Sequence, residues 1–218
     1  MHSSRPLYQQ IPGLDQGFEL LEIAVADLQP TQWCVGFSEV WSRQDDFRDE
    51  GAKQVRAYLK RKPVPLVRNI SGKLWMIDRH HRLRALLELQ PEARAFGYVI
   101  EECSAEDPEE TLRLLTQRGW LYLYNGRGHG PLPAKQLPKS LLELEDDPYR
   151  SLAWKLKQEG LVRHEPLIPY HEFRWGAWLR SRALPPFSSR NLDAALPAAR
   201  GLVQSHSASH LAGWIGGR

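Results

Sequence analysis

Ile77-Asp78-Arg79-His80-His81-Arg82-Leu83-Arg84-Ala85-Leu86 is the stretch whose reading decides the fold. A strand-like run, Leu74-Trp75-Met76-Ile77, gives way here to a helical pattern in which Leu83, Leu86 and Leu87 fall on one apolar stripe. Asp78 stands where an N-cap is expected. The imidazoles and guanidinia then gather on the helix's first turn, where unpaired backbone N–H groups and the positive end of the dipole already favour an anion. Cations at that end run against the dipole, so their accumulation reads as a phosphate site. Solvated side chains at an ordinary helix start are the competing reading, and the pattern alone does not separate the two.

Around this box the chain divides into an α/β part and a helical part. The α/β core is expected over residues 1–104. Leu20 to Val25 is strand-like, Val40 to Lys60 reads as one helix, and Val64–Val67 with Leu74–Ile77 reads as a hairpin. Pro65 places its strand near an edge or places itself at the strand's start. Phe96 to Ile100 is a further strand, giving a compact α/β layer. Residues 105–218 are expected to form a mostly helical region. Asp107-Pro108 and Asp147-Pro148 pair a capping carboxylate with a proline suited to the first helical position. Phe173, Trp175, Trp178 and Leu179 form an aromatic helix face, read as core rather than a base-stacking surface. Asn125-Gly126-Arg127-Gly128-His129-Gly130 lacks the lysine and hydroxyl residue of a Walker loop and reads as a mobile surface loop with a minor chance of covering the site. His206 and His210 stand four apart without the glutamate of a zinc protease helix and read as solvent-facing residues on a helix.

Composition bounds the rest. The chain has 218 residues, 42% hydrophobic and 25% charged, with a net charge of +3. That length can bury a real core, and the mild positive charge permits a nucleotide or nucleic-acid partner without demanding one. Cys34 and Cys103 have no Cys-x-x-Cys partner. No apolar run approaches a membrane span and the opening residues lack a signal-peptide apolar region, so no membrane partner is expected and a cytoplasmic location is.

The segment Val64 to Arg68, the turn at Ser71-Gly72, and the box from Asp78 to Leu86 resemble the ParB/sulfiredoxin superfamily. Partition proteins of that group carry Gly-Glu-Arg-Arg at this place, free serine kinases Asp-Gly-His-His-Arg, and sulfiredoxins Gly-Cys-His-Arg. Leu28 to Gln32, Val35-Gly36-Phe37, Asp146 to Leu152 and Glu172-Phe173-Arg174-Trp175 add to a likeness with the ParB-like branch, whose members are described as nucleases. The resemblance implies an α+β, ParB/sulfiredoxin-like mixed sheet with helices, followed by a helical C-terminal region. It also implies that the box holds nucleotide phosphates.

On that footing Arg82 is the expected phosphate ligand, because its planar fork can bind two oxygens at once. His80 and His81 would donate to oxygens with raised pKa, and Arg84, four residues after His80, would share their face. Asp78 is either the cap or a ligand to Mg2+ bridging the phosphates of ATP, ADP or CTP. Serine kinases place an essential glutamate in the corner that here reads Pro30-Thr31-Gln32-Trp33, where no carboxylate stands. Glu39 is the nearest acid downstream, and with His80 and His81 it forms the expected catalytic set. Magnesium-dependent phosphoryl transfer to a small-molecule acceptor, or nucleotide hydrolysis, is the favoured expectation. The alternatives are a metal-dependent nuclease, drawing on Asp78 with Glu39, Asp45 or Asp46, and a non-catalytic nucleotide or DNA binder using Arg56, Lys60, Arg61 and Lys62. A homodimer is compatible with any of these.

Overall fold

The structure, a computed structural model, describes residues 8–14, 17–165 and 168–216. Its centre is a five-stranded mixed sheet. β1 (Leu21–Ala24) lies antiparallel to β6 (Arg94–Cys103), which runs parallel to β4 (Val64–Asn69). β4 forms the expected hairpin with β5 (Leu74–Met76), and β2 (Leu28–Gln29) closes the far edge parallel to β5. β4 is central, so Pro65 is accommodated at its start rather than at an edge, and its carbonyl still accepts from Ile77 N at 2.9 Å. A short parallel pair, β3 (Cys34–Val35) with β7 (Glu145–Asp146), ties the N-terminal half to the C-terminal half.

Alternating side chains cover both faces of the sheet. Leu66 and Met76 join Ile23, Val40, Leu83 and Leu86 beneath α1 (Phe37–Asp49), α2 (Ala52–Arg61) and α3 (His80–Leu89). Val67, Trp75 and Ile77 point the other way, against Leu115 and Trp120. Leu115 belongs to α4 (Pro108–Arg118), where Asp107 accepts from Glu109 N as the sequence predicts. A third cluster holds α5 (Pro148–Gln158), α6 (His171–Arg180) and α7 (Leu196–Gln204) together through Leu152, Leu156, Trp175, Leu179 and Val203. No described helix is long and apolar enough to cross a membrane.

Three local expectations are corrected. The helix expected from Val40 to Lys60 is broken after Asp49, because Glu50 and Gly51 are extended and Gly51 starts α2 afresh. His206 and His210 do not share an α-helix; His206 lies in a single 3-10 turn, His206–Ala208, and His210 follows in a turn. The Asn125–Gly130 loop is pinned rather than free. Asn125 Oδ1 accepts from Arg127 N and His129 N, Gly126 N donates to Glu145, and Arg180 donates to the Gly126 carbonyl.

A Cβ built on Gly126 would lie 2.1 Å from the Asp146 carbonyl oxygen. Gly126→Ala is therefore expected to destabilise the fold by roughly 1–3 kcal/mol, because backbone must move to admit it. Gly201, on α7, has nothing within 4 Å of such a Cβ. Gly201→Ala is expected to stabilise by about 0.5–1 kcal/mol through helix propensity and reduced freedom of the unfolded chain. Urea midpoints of the two variants moving in the same direction would contradict this description of the packing.

Candidate active site

The corner between β5 and α3 is built as a turn, not a side-chain cap. α3 begins at His80, and Arg79 before it holds a left-handed backbone with φ of 79° and no capping side chain. Asp78 lies one residue too early to cap. Its Oδ1 accepts from Arg79 N at 2.7 Å and its Oδ2 pairs with Arg79 Nη1 at 2.9 Å. A non-glycine residue at such a φ costs on the order of 1–2 kcal/mol, and these two contacts offset part of it.

The paired histidines serve as acceptors. His80 is 2% exposed, and its Nε2 accepts from Thr31 N at 3.1 Å. His81 Nε2 accepts from Gly36 N at 2.9 Å. Burial pushes the His80 pKa down to about 4 and drives that of His81 well below the usual range, the nearby Arg150 adding to the second effect. Both rings are therefore neutral at pH 7, and they fasten α3 to the chain between β2 and α1. Each Nε2 is thus taken by a backbone N–H, which leaves Nδ1 as the atom that could meet the expected phosphate.

The arginines of the box diverge. Arg82 lies over the Tyr58 ring, 4.8 Å from its centroid, and its Nη1 donates to the Lys62 carbonyl. Arg84 is buried on the opposite side, where it pairs with Glu88 at 2.7 Å, donates to the Leu144 carbonyl and covers Phe37. Arg84 lies one turn beyond His80 on α3, as expected, but its guanidinium is taken up by Glu88 and the Leu144 carbonyl. Among the other expected groups, Asp45 and Asp46 pair with Arg48 and Arg43 on the exposed side of α1. Arg56 is engaged by Glu22 at 2.7 Å.

What the fold brings against the box is α5 and α6. Asp147 Oδ1 accepts from Tyr149 N and Arg150 N, which starts α5 and turns Arg150 inward. The Arg150 side chain is 6% exposed; its Nη2 donates to Glu39 Oε2 at 2.9 Å and stands 4.0 Å from Glu172 Oε2. Its Nε and Nη1 are buried with no partner. Burial works against the Glu172 anion, but Arg150 and Lys157 outweigh it and hold the carboxyl far below its ordinary pKa. A cavity of about 160 Å3 opens here, its wall including Gln32, Asp78, His80, His81, Arg150, His164 and the residues from Ile168 to Phe173. Arg82, Arg84 and Glu39 do not line it.

The family described as "Putative ParB-like nuclease" matches residues 21–181, a span that contains the sheet, the box and α6. The chain belongs to the ParB-like nuclease family. Among solved structures, protein Atu1540 from Agrobacterium tumefaciens is similar at 32% identity with a TM-score of 0.80, over 92% of this chain and 100% of that one. No curated protein matches the sequence.

In this ParB-like protein, then, the cavity draws on both sides of the match. The box contributes Asp78 and the two buried histidines, while Arg150, His171 and Glu172 come from helices that the sequence reading assigned to core. The signal for them was present: Asp147-Pro148 fixes where α5 starts and hence where Arg150 points. A second cavity of about 620 Å3 adjoins the first through Pro169, Tyr170 and Phe173, and Tyr122 and Tyr124 line its wall. Phe173 stacks on Tyr122 at 4.0 Å between centroids. The pinned loop reaches this second cavity at Gly128, not the first.

Proposed function

We propose that this ParB-like protein hydrolyses phosphodiester bonds in nucleic acid or short oligonucleotides, binding the scissile phosphate against Arg150. The observation that carries the reading is a buried arginine beside a cavity, two of whose guanidinium nitrogens have no hydrogen-bond partner. Such donors are costly to bury unsatisfied, and a phosphate oxygen pair matches their fork. Glu39 and Glu172 hold the guanidinium in place without using those two donors. The adjoining aromatic cavity suits the flat face of a base, for which stacking on tyrosine is worth about 1–3 kcal/mol.

Phosphoryl transfer from ATP, ADP or CTP with magnesium at Asp78 fits these residues less well. Magnesium favours one or two carboxylates with water and phosphate oxygens, and both Asp78 oxygens already serve Arg79. Glu39, the expected catalytic acid, is turned to Arg150.

Fluorescence anisotropy with a labelled single-stranded oligonucleotide tests the binding half of the proposal. Arg150→Lys keeps the charge but not the fork, and is expected to weaken binding about tenfold. Unchanged affinity in that variant, or tight binding of ATP or CTP in place of the oligonucleotide, would overturn it.

A further inference from the structure

His164, His171 and Glu172 each present a donor atom within 4.8 Å of the other two, on the wall of the cavity that holds Arg150. His171 opens α6 and is 3% exposed. Its Nε2 is 2.8 Å from the Ala212 carbonyl oxygen, which also accepts from Trp175 Nε1 at 2.9 Å. A carbonyl can only accept, so Nε2 carries the proton of this bond, and Nδ1 is the nitrogen left to bind a ligand. That Nδ1 is buried and has no partner. One ring nitrogen engaged by a carbonyl and the other bare is the arrangement a metal-ligating histidine needs.

The surroundings hold the ring in this pose. Gly213 follows Ala212 with φ of 80°, and a Cβ there would lie 2.9 Å from His171 Nε2 and 2.3 Å from the Arg163 carbonyl oxygen. Arg163 N donates to the Gly213 carbonyl at 2.8 Å, which fixes the backbone next to His164. Glu172 Oε1 is bonded to Lys157, and its Oε2 lies 4.0 Å from Arg150. Arg150 is in turn neutralised by Glu39. Lys157 can therefore orient the carboxylate from behind, as outer partners of ligating carboxylates do.

We propose that His164, His171 and Glu172 form a binding site for a late first-row dication of the zinc type. Two imidazoles and one carboxylate are a zinc donor set with one position left for water. Ligand distances near 2.1 Å in a tetrahedron call for donors roughly 3.4 Å apart. A contraction of up to about 1.4 Å is within reach of side-chain rotations led by the exposed His164. Two nitrogen donors select against magnesium and calcium. The metal site rests on its own residues, whereas its catalytic role rests on the phosphodiester reading. In that role the ion would lower the pKa of a water, whose hydroxide would add to phosphorus as one P–O ester bond breaks, the water's proton passing to solvent and the departing oxygen taking one up.

Isothermal titration of the chelator-treated full chain with zinc chloride tests the inference directly. One site of sub-micromolar affinity is expected, together with a zinc-dependent rise in melting temperature. His164→Ala, a change at an exposed position, and His171→Gln are each expected to weaken binding by at least about 100-fold and to remove the thermal shift. His206→Ala, outside the cluster, is expected to leave both unchanged. The inference is overturned by the absence of saturable one-to-one binding. It is equally overturned if His164→Ala binds zinc like the parent chain while retaining its fold. Tight zinc binding without diester hydrolysis would instead sink the functional reading and leave the metal site standing.

Discussion

Replacing Arg150 with alanine is expected to destabilise the fold by roughly 3–5 kcal/mol, because it strips the largely buried Glu39 of its closest counter-charge and leaves Glu172 with Lys157 alone. Glu39 and Glu172 are 13% and 15% exposed and face the same guanidinium from α1 and α6. A domain of this kind has about 5–15 kcal/mol of total stability, so the loss is a large part of it. The effect belongs to the unpaired acids more than to any missing attraction. Adding Glu172→Gln to Arg150→Ala should therefore recover part of the loss, as judged from urea midpoints. If the double variant is less stable than the single one by the full cost of Glu172→Gln alone, the three side chains do not act as a coupled group.

Stability should also fall steeply on mild acidification, ahead of the ordinary carboxylate range. His80 has a folded pKa of about 4, against about 6.5 when unfolded. Between those values the unfolded chain takes up a proton that the folded chain refuses, so stability is full above pH 6.5 and is lost as pH falls towards 4. From pH 7.5 to pH 5 this amounts to about 2 kcal/mol for His80 alone. His81, whose pKa burial depresses in the same direction, adds to the loss over the same window. Glu172 contributes at lower pH: its depressed pKa favours the fold above about pH 4.5 and is felt as a loss only below that. Replacing both histidines with glutamine, whose amide oxygen can accept the same backbone N–H bonds, should flatten the profile between pH 7.5 and 5. An unaltered slope in that variant would show that the two rings are not held neutral.

The sequence carried the elements well because their signals are local. Leu83, Leu86 and Leu87 make the buried stripe read from their spacing, and Asp107 and Asp147 cap the helices that their following prolines start. The hairpin and the strand from Arg94 appear where β-branched and aromatic residues cluster. Phe173, Trp175 and Trp178 are buried, as their helical spacing implies. Partnerships between distant segments were not legible in this way. His81 bonds to Gly36 and Arg150 to Glu39, 45 and 111 residues away. The box looked like a cluster of free cations in part because some of the groups that occupy them lie elsewhere in the chain. Arg84 illustrates the point: its helical position was correct, but besides the local Glu88 its guanidinium reaches the Leu144 carbonyl, 60 residues away. The bare nitrogen of His171 depends on the Ala212 carbonyl, and no local pattern near His171 announces it.

The box therefore organises the site more than it supplies the ligands. Its histidines lock the corner against Thr31 and Gly36, and that corner gives α5 and α6 a fixed wall to face. The most direct measurement is cleavage of labelled single-stranded and duplex DNA and RNA oligonucleotides by the zinc-loaded chain. The parent protein, Arg150→Lys and His164→Ala should be assayed side by side with ATP and CTP as competing substrates. The account predicts oligonucleotide cleavage by the parent protein, reduced at least about 100-fold in each variant. Turnover of ATP or CTP with every oligonucleotide left intact, or cleavage that survives Arg150→Lys unchanged, would contradict it.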